Sequence, residues 1–200
     1  MGVTEPNKAR QTFALFARHY RVCHKNAIVM VGELSEEQFQ WRPSPGPQSI
    51  GWNLWHVARW DDYFAEVLVA GTPSLSSLGP PRQIWKSREV AGRWGLDPAA
   101  LGLEQGGTYL SEEAAAAISL PSKKEVIDYA IEAFDHLDRA LPELDDSLLD
   151  TILPSIKTEA FPDDYSYGDN TQEFMIHAYE HLGTMQALKG MLGLRGSVTD

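Results

Sequence analysis

The residues best placed to do chemistry lie near the end of the chain, in Phe174-Met-Ile-His177-Ala-Tyr-Glu180-His181-Leu-Gly-Thr-Met185-Gln-Ala-Leu188. On an α-helix a spacing of four stacks His177 and His181 on one face with Cβ atoms about 5–6 Å apart, a chelating separation. Phe174, Met185, Leu188 and Leu192 share that face, so both imidazoles fall in the apolar stripe that a helix turns toward its core. Buried imidazoles need partners. Either each ring hydrogen-bonds a carbonyl or carboxylate, or the pair shares a metal ion with a third ligand.

His177, Glu180 and His181 also spell the H-x-x-E-H motif in which inverted zinc peptidases use the glutamate as general base. Such enzymes need a further ligand well downstream, and the only carboxylate side chain after His181 is Asp200. The peptidase reading is therefore set aside. The better third ligand is His56, which stands among tryptophans in Trp52-Asn-Leu-Trp55-His56. Packed helices lie about 8–10 Å apart, so a histidine on another helix at the same level reaches the pair. Three neutral imidazoles suit zinc first, with nickel, ferrous iron or manganese as further candidates, and they leave coordination positions open for water or substrate.

Four amphipathic segments can position these residues. Thr4-Glu5-Pro6 offers a cap and a first-turn proline to a helix whose stripe runs Phe13, Phe16, Tyr20, Cys23, Ala27, Met30 and Leu34. Cys23 reads as packing, and His19 and His24 flank the stripe as solvated or edge residues. The prolines between Arg42 and Pro47 end that region, and Ser49 is the N-cap of a second helix reaching about Ala70. This second helix is apolar nearly all round, which predicts a central position or a contact with another subunit. Ser122-Lys-Lys-Glu125 is a capping box for a third helix, with His136 off its stripe and exposed. Asn170 or Thr171 caps the fourth. A four-helix bundle follows, all-α and a single domain over 1–200, with a long connector between the second and third helices. The short link makes the first two helices antiparallel, while the connector lets the third run parallel to the second.

That connector, residues 72 to 121, is about 50 residues long, and a segment of such length inside a compact domain is usually functional. It gathers Arg82, Lys86, Arg88 and Arg93 against Glu89 alone, in a chain of formal charge -11. The basic island is either a solvated face or an anion-binding lid over the metal. The net charge itself repels phosphate backbones and argues against a nucleic-acid partner.

Hydrophobic residues make up 43% and charged residues 22% of the sequence, an ordinary balance for a soluble globular protein. No window approaches the apolar run of ~18 residues that a membrane helix needs, and Met-Gly-Val-Thr-Glu-Pro-Asn-Lys lacks a signal-peptide core, so the expected location is cytoplasmic with no membrane partner. One cysteine excludes an intrachain disulfide.

Several stretches resemble the DinB/YfiT-like superfamily in their order and spacing. These are Arg42-Pro…Gln48-Ser-Ile-Gly-Trp-Asn-Leu-Trp-His56-Val-Ala, Arg93-Trp-Gly-Leu…Leu110-Ser-Glu-Glu-Ala-Ala, Pro121-Ser…Glu125-Val…Tyr129 and Ile176-His177…His181-Leu-Gly183. The likeness runs from about residue 10 to 193. It implies a four-helix bundle, often dimeric, holding a divalent metal through one histidine of the second helix and two of the fourth, which map onto His56, His177 and His181. It also implies enzymes that use low-molecular-weight thiols such as bacillithiol or mycothiol. Gly183-Thr-Met-Gln186 stands where many members have Gly-Gln after the last histidine, a departure that leaves the three ligands intact.

The expectation from sequence is a metal-dependent enzyme, a transferase activating a thiol or water toward a small-molecule substrate. The alternative is a metal-binding interaction protein without turnover. Asn53 and Glu180, each one turn from a ligand, are candidate orienting groups, and Glu180 a candidate base. A homodimer through the second helix is expected from its Leu54, Ala58, Ala65 and Leu68 face with Trp52 and Trp55.

Overall fold

The computed structural model describes residues 11–44, 48–153 and 164–196. In chain order its α-helices are α1 (Gln11–Gly32), α2 (Glu36–Gln40), α3 (Ile50–Gly71), α4 (Ile84–Ser87), α5 (Val90–Arg93), α6 (Glu112–Ala116), α7 (Lys123–Ala140) and α8 (Tyr167–Met191). The chain is all-α, and among the described residues only two isolated bridges, Leu103 with Thr108 and Ile152 with Ser166, have β pairing. None of these helices is long and apolar enough to cross a membrane.

Local chemistry sets most of the boundaries. The Ser49 side chain accepts from the Trp52 N–H and starts α3, and the Ser122/Glu125 capping box starts α7. The cap expected at Thr4 and the prolines at 45 and 47 lie outside the described residues. At the first turn of α1 the Asp146 carboxylate accepts from the N–H groups of Thr12 and Phe13, at 2.8–3.1 Å.

Helix α8 begins earlier than the sequence reading placed it. Ser166 is the N-cap, in a capping box with Asp169, and Gly168 is helical rather than a breaker. A Cβ on Gly168 would stand 2.9 Å from the Leu149 carbonyl oxygen, which accepts the Gly168 N–H at 3.0 Å. Glycine is there because the chain crosses closely. Asn170 and Thr171, read as caps, instead donate back to carbonyls of the first turn.

Two apolar clusters give the helix directions. One joins Cys23 to Leu34 of α1 with Ile50 to Ala58 of α3, Val126 to Phe134 of α7 and Ala178 to Leu188 of α8. The other joins Phe13 to Tyr20, Trp60 to Val69, Leu137 to Ala140, and Tyr167 with Phe174. Thus α3 and α7 run parallel, and α1 and α8 run opposite to both. Helix α3 is central: Leu54, Trp55, Ala58, Ala65 and Leu68 are all fully buried. The face that suggested a dimer contact through this helix is consumed by the chain's own core.

The connector is docked rather than slack. Asp62, fully buried on α3, accepts the N–H groups of Ile84 and Trp85, both at 2.8 Å, at the start of α4. Its neighbour Arg59, 1% exposed, donates to Asp62, the Tyr129 hydroxyl, the Gln83 side chain and the carbonyls of Glu104 and Gln105. The guanidinium also lies 5.0 Å over the Trp85 ring. A buried charge is tolerated only when it is paired and its donors are used, and here both conditions hold.

Two histidines depart from the sequence reading. His24 is 4% exposed, with Nε2 3.0 Å from Asp61 and Nδ1 3.1 Å from Asp138. Helix α1 packs on α3, α7 and α8, so its buried face is broader than the stripe read from spacing. His136 is 7% exposed, on a helix that also meets the Pro73–Leu78 turn of the connector.

Candidate metal centre

His56, central on α3, meets His177 and His181 from α8, and the ligand-capable atoms of the three rings lie within 4.8 Å of one another. The Nε2 atoms of His56 and His177 are 3.0 Å apart. Two nitrogens bound to one ion at about 2.0–2.1 Å lie about 3.0–3.4 Å apart, so this pair has the separation of ligands that share a metal.

Neighbouring groups fix which nitrogen is free in two of the three rings. His56 Nδ1 donates to the carbonyl of Gly106, in the connector, because a carbonyl can only accept. In a neutral ring that leaves the lone pair on Nε2, facing the cluster. His181 Nδ1 lies 2.7 Å from the side-chain oxygen of Asn53. The orientation of Asn53 is set in turn, since its Nδ2 donates to the carbonyls of Gln48 and Ser49 at 3.1 and 2.8 Å. Its oxygen must therefore accept, and His181 also turns a free Nε2 inward. Partners of this kind hold metal-binding histidines in one tautomer and one orientation. His177 Nδ1 is buried and has no hydrogen-bond partner among the described residues.

The electrostatics agree with a ligand role. Burial, followed by the neighbouring His181 and His177 rings, pushes the pKa of His56 well below the usual histidine range. Burial lowers His177 to about 3, with His181 contributing, and lowers His181 to about 4. All three rings are neutral near pH 7, the form that binds a cation. The donor set therefore fits a divalent ion with three neutral nitrogens and no protein carboxylate.

A cavity of about 350 Å³ opens onto the histidines. Trp52, Trp60 and Phe174 wall it, and Gly107 and Thr108 of the connector close one side. Trp52 stacks on His56 at 4.7 Å between ring centroids. Gly107 has φ +87°, and a Cβ there would stand 2.5 Å from Trp52, so only glycine lets the connector approach this ring.

The sequence reading brought the three histidines and Asn53 together, and the structure does the same. Glu180 is exposed on α8, outside the cavity lining. Tyr63 packs edge-on against Trp60, and the Tyr179 hydroxyl donates to the His19 carbonyl. The connector does border the site, through residues 106 to 108 rather than through its basic island. Lys86 pairs with Glu104 and Arg88 with Glu132, and none of Arg82, Lys86, Arg88 or Arg93 lines the cavity. Sequence reasoning missed Arg59 and the Gly106 carbonyl. A lone arginine in an apolar helix was the available signal for the first; a backbone acceptor leaves no mark in side-chain spacing.

Comparison with known proteins supports the fold and the family. A crystal structure of a conserved protein from Enterococcus faecalis superimposes with a TM-score of 0.70 at 17% identity, over 92% of this chain and 99% of that one. No curated protein matches the sequence. The model of the DinB superfamily matches residues 19–185. On that match, which spans both α3 and most of α8 with all three histidines between its limits, the chain belongs to the DinB superfamily.

Proposed function

We propose that the protein is a metal-dependent enzyme in which His56, His177 and His181 hold one divalent ion, zinc first among the candidates, on a four-helix bundle. The observation that supports this best is the convergence of three neutral imidazoles, two of which, His56 and His181, have their Nε2 atoms freed by the Gly106 carbonyl and the Asn53 side chain. A bound divalent ion would supply uncompensated positive charge, which lowers the pKa of a thiol or water in an open coordination position.

The chain's own residues do the rest. His56, His177 and His181 contribute no charge, so an anionic donor such as a thiolate is not repelled. Trp52, Trp60 and Phe174 shield the position beside the rings from bulk water, and Asn53 keeps His181 from rotating away. Cys23 is 2% exposed in the core, and burial with the nearby Asp61 and Asp138 charges raises its thiol to about 12. The thiol of such a reaction therefore comes from solution, as a low-molecular-weight cosubstrate.

Elemental analysis of the purified protein should find one divalent ion per chain, lost in His56→Ala and His177→Ala. A screen of small thiols against a model electrophile should show consumption only with both metal and thiol present. Turnover with metal alone would point to activated water and a hydrolase. No metal after reconstitution would overturn the proposal, and metal without turnover across the panel would favour a binding protein. The reading includes a homodimer, placed on α1 rather than α3: Leu15, Val22 and Val29 recur every seven residues at 43%, 53% and 54% exposure. Light scattering should give a dimer that Val22→Glu converts to a monomer; a monomeric wild type refutes it.

A further inference from the structure

We infer that the cavity beside the three histidines selects a small molecule with an uncharged, flat apolar body and a single donor atom directed at the imidazoles. The inference rests on the metal reading for the role of that donor atom, but the selection of the body rests on the cavity alone.

The walls are the indoles of Trp52 and Trp60 and the ring of Phe174, and no Lys, Arg, Asp or Glu is among the described lining residues. The one hydroxyl, on Thr108, accepts from Trp60 Nε1 at 3.0 Å, which leaves its own O–H for one further neutral hydrogen bond. Cations of α3 and the connector are turned elsewhere: Arg59 spends its donors on Asp62, Tyr129, Gln83 and the Glu104 and Gln105 carbonyls, Lys86 pairs with Glu104, Arg88 pairs with Glu132, and neither Arg82 nor Arg93 lines the cavity. A carboxylate or ammonium on the body of a ligand, away from the donor atom, would lose water here and find no charged side chain, with the Thr108 hydroxyl as the one side-chain hydroxyl in the described lining. An aromatic ring, in contrast, meets three aromatic faces and loses only ordered water. The volume of about 350 Å³ sits at the low end for small-molecule sites, which excludes a large conjugate lying wholly inside.

Two titrations test this. In the first, cobalt(II)-loaded protein is titrated with benzyl mercaptan and with mercaptosuccinate, and binding is read from the cobalt absorption bands. Benzyl mercaptan should bind at least about tenfold more tightly, the least that burying an unpaired charge costs. Thr108→Arg should narrow or reverse the preference by giving the dianion a partner. In the second, chelator-treated protein is titrated with 1-naphthol and 1-naphthoate, read by tryptophan fluorescence, with 1-naphthol expected to bind more tightly by a similar factor. Equal or tighter binding of the charged member of either pair overturns the inference while leaving the metal reading intact. Failure of cobalt to bind would instead remove the metal reading, and the naphthol pair would still decide the inference.

Discussion

The Asp61–His24–Asp138 cluster makes the stability of this protein depend on pH in a direction and size that the structure fixes. Burial alone opposes a charge on His24, yet hydrogen bonds from both ring nitrogens to Asp138 and Asp61 outweigh it and hold the pKa up at about 9. The ordinary histidine value is 6.5. A folded-state pKa above the unfolded one means that the native protein binds the extra proton. The contribution is therefore complete below pH 6.5, declines between 6.5 and 9, and is gone above that. At about 1.4 kcal/mol per pKa unit the full span amounts to about 3 kcal/mol. Tyr20 and Cys23, both raised first by burial, also cost stability at alkaline pH because they ionise more readily once unfolded. A reference variant must keep those groups and lose only the cluster. His24→Gln alone would leave Asp61 buried without its cation and titrating on its own account, so the reference is His24→Gln/Asp61→Asn. Urea unfolding of both proteins at pH 6, 7.5 and 9.5, in chelator to remove any metal linkage, gives the difference in unfolding free energy. That difference should shrink by about 3 kcal/mol across the series. A flat difference would refute the assignment of a charged His24, and an NMR titration of its ring would show the same error directly.

Three further outcomes are expected. Asn53→Ala should weaken metal binding by about 10–100-fold, measured by competition with a chelator, since it frees the His181 ring; unchanged affinity would show that the ring is held by packing alone. Arg59→Met leaves Asp62 buried without its counter-charge and should destabilise the fold by about 3–5 kcal/mol in urea titrations, with faster proteolysis at residues 104 to 106. Resistance to both would mean that the connector docks without this clamp. Gly107→Ala places a methyl group against Trp52 at a left-handed backbone position and should lower stability by about 1–3 kcal/mol in thermal melts; an unchanged melting temperature would show that Trp52 moves freely.

The sequence by itself determined a great deal here, because its strongest signals are local. A histidine pair at helical spacing, serines that cap α3 and α7, and apolar periodicity over four long segments are properties of contiguous residues, and helix geometry converts them directly into faces. The three histidines that converge were legible for that reason, as was Asn53, one turn from His56. What depends on packing between distant segments was not legible. The spacing around His24 says nothing of Asp61 and Asp138, which come from two other helices and turn a flanking histidine into a buried cation. The apolar surface of α3 gave no sign whether it faced a partner or its own core, and three surrounding helices decided for the core. The connector's charge suggested a lid of basic side chains. Only the tertiary structure decided that its approach to the histidines is made by Gly106, Gly107 and Thr108, held there by Arg59, because a backbone carbonyl at hydrogen-bonding distance is a product of the fold and not of any residue's type.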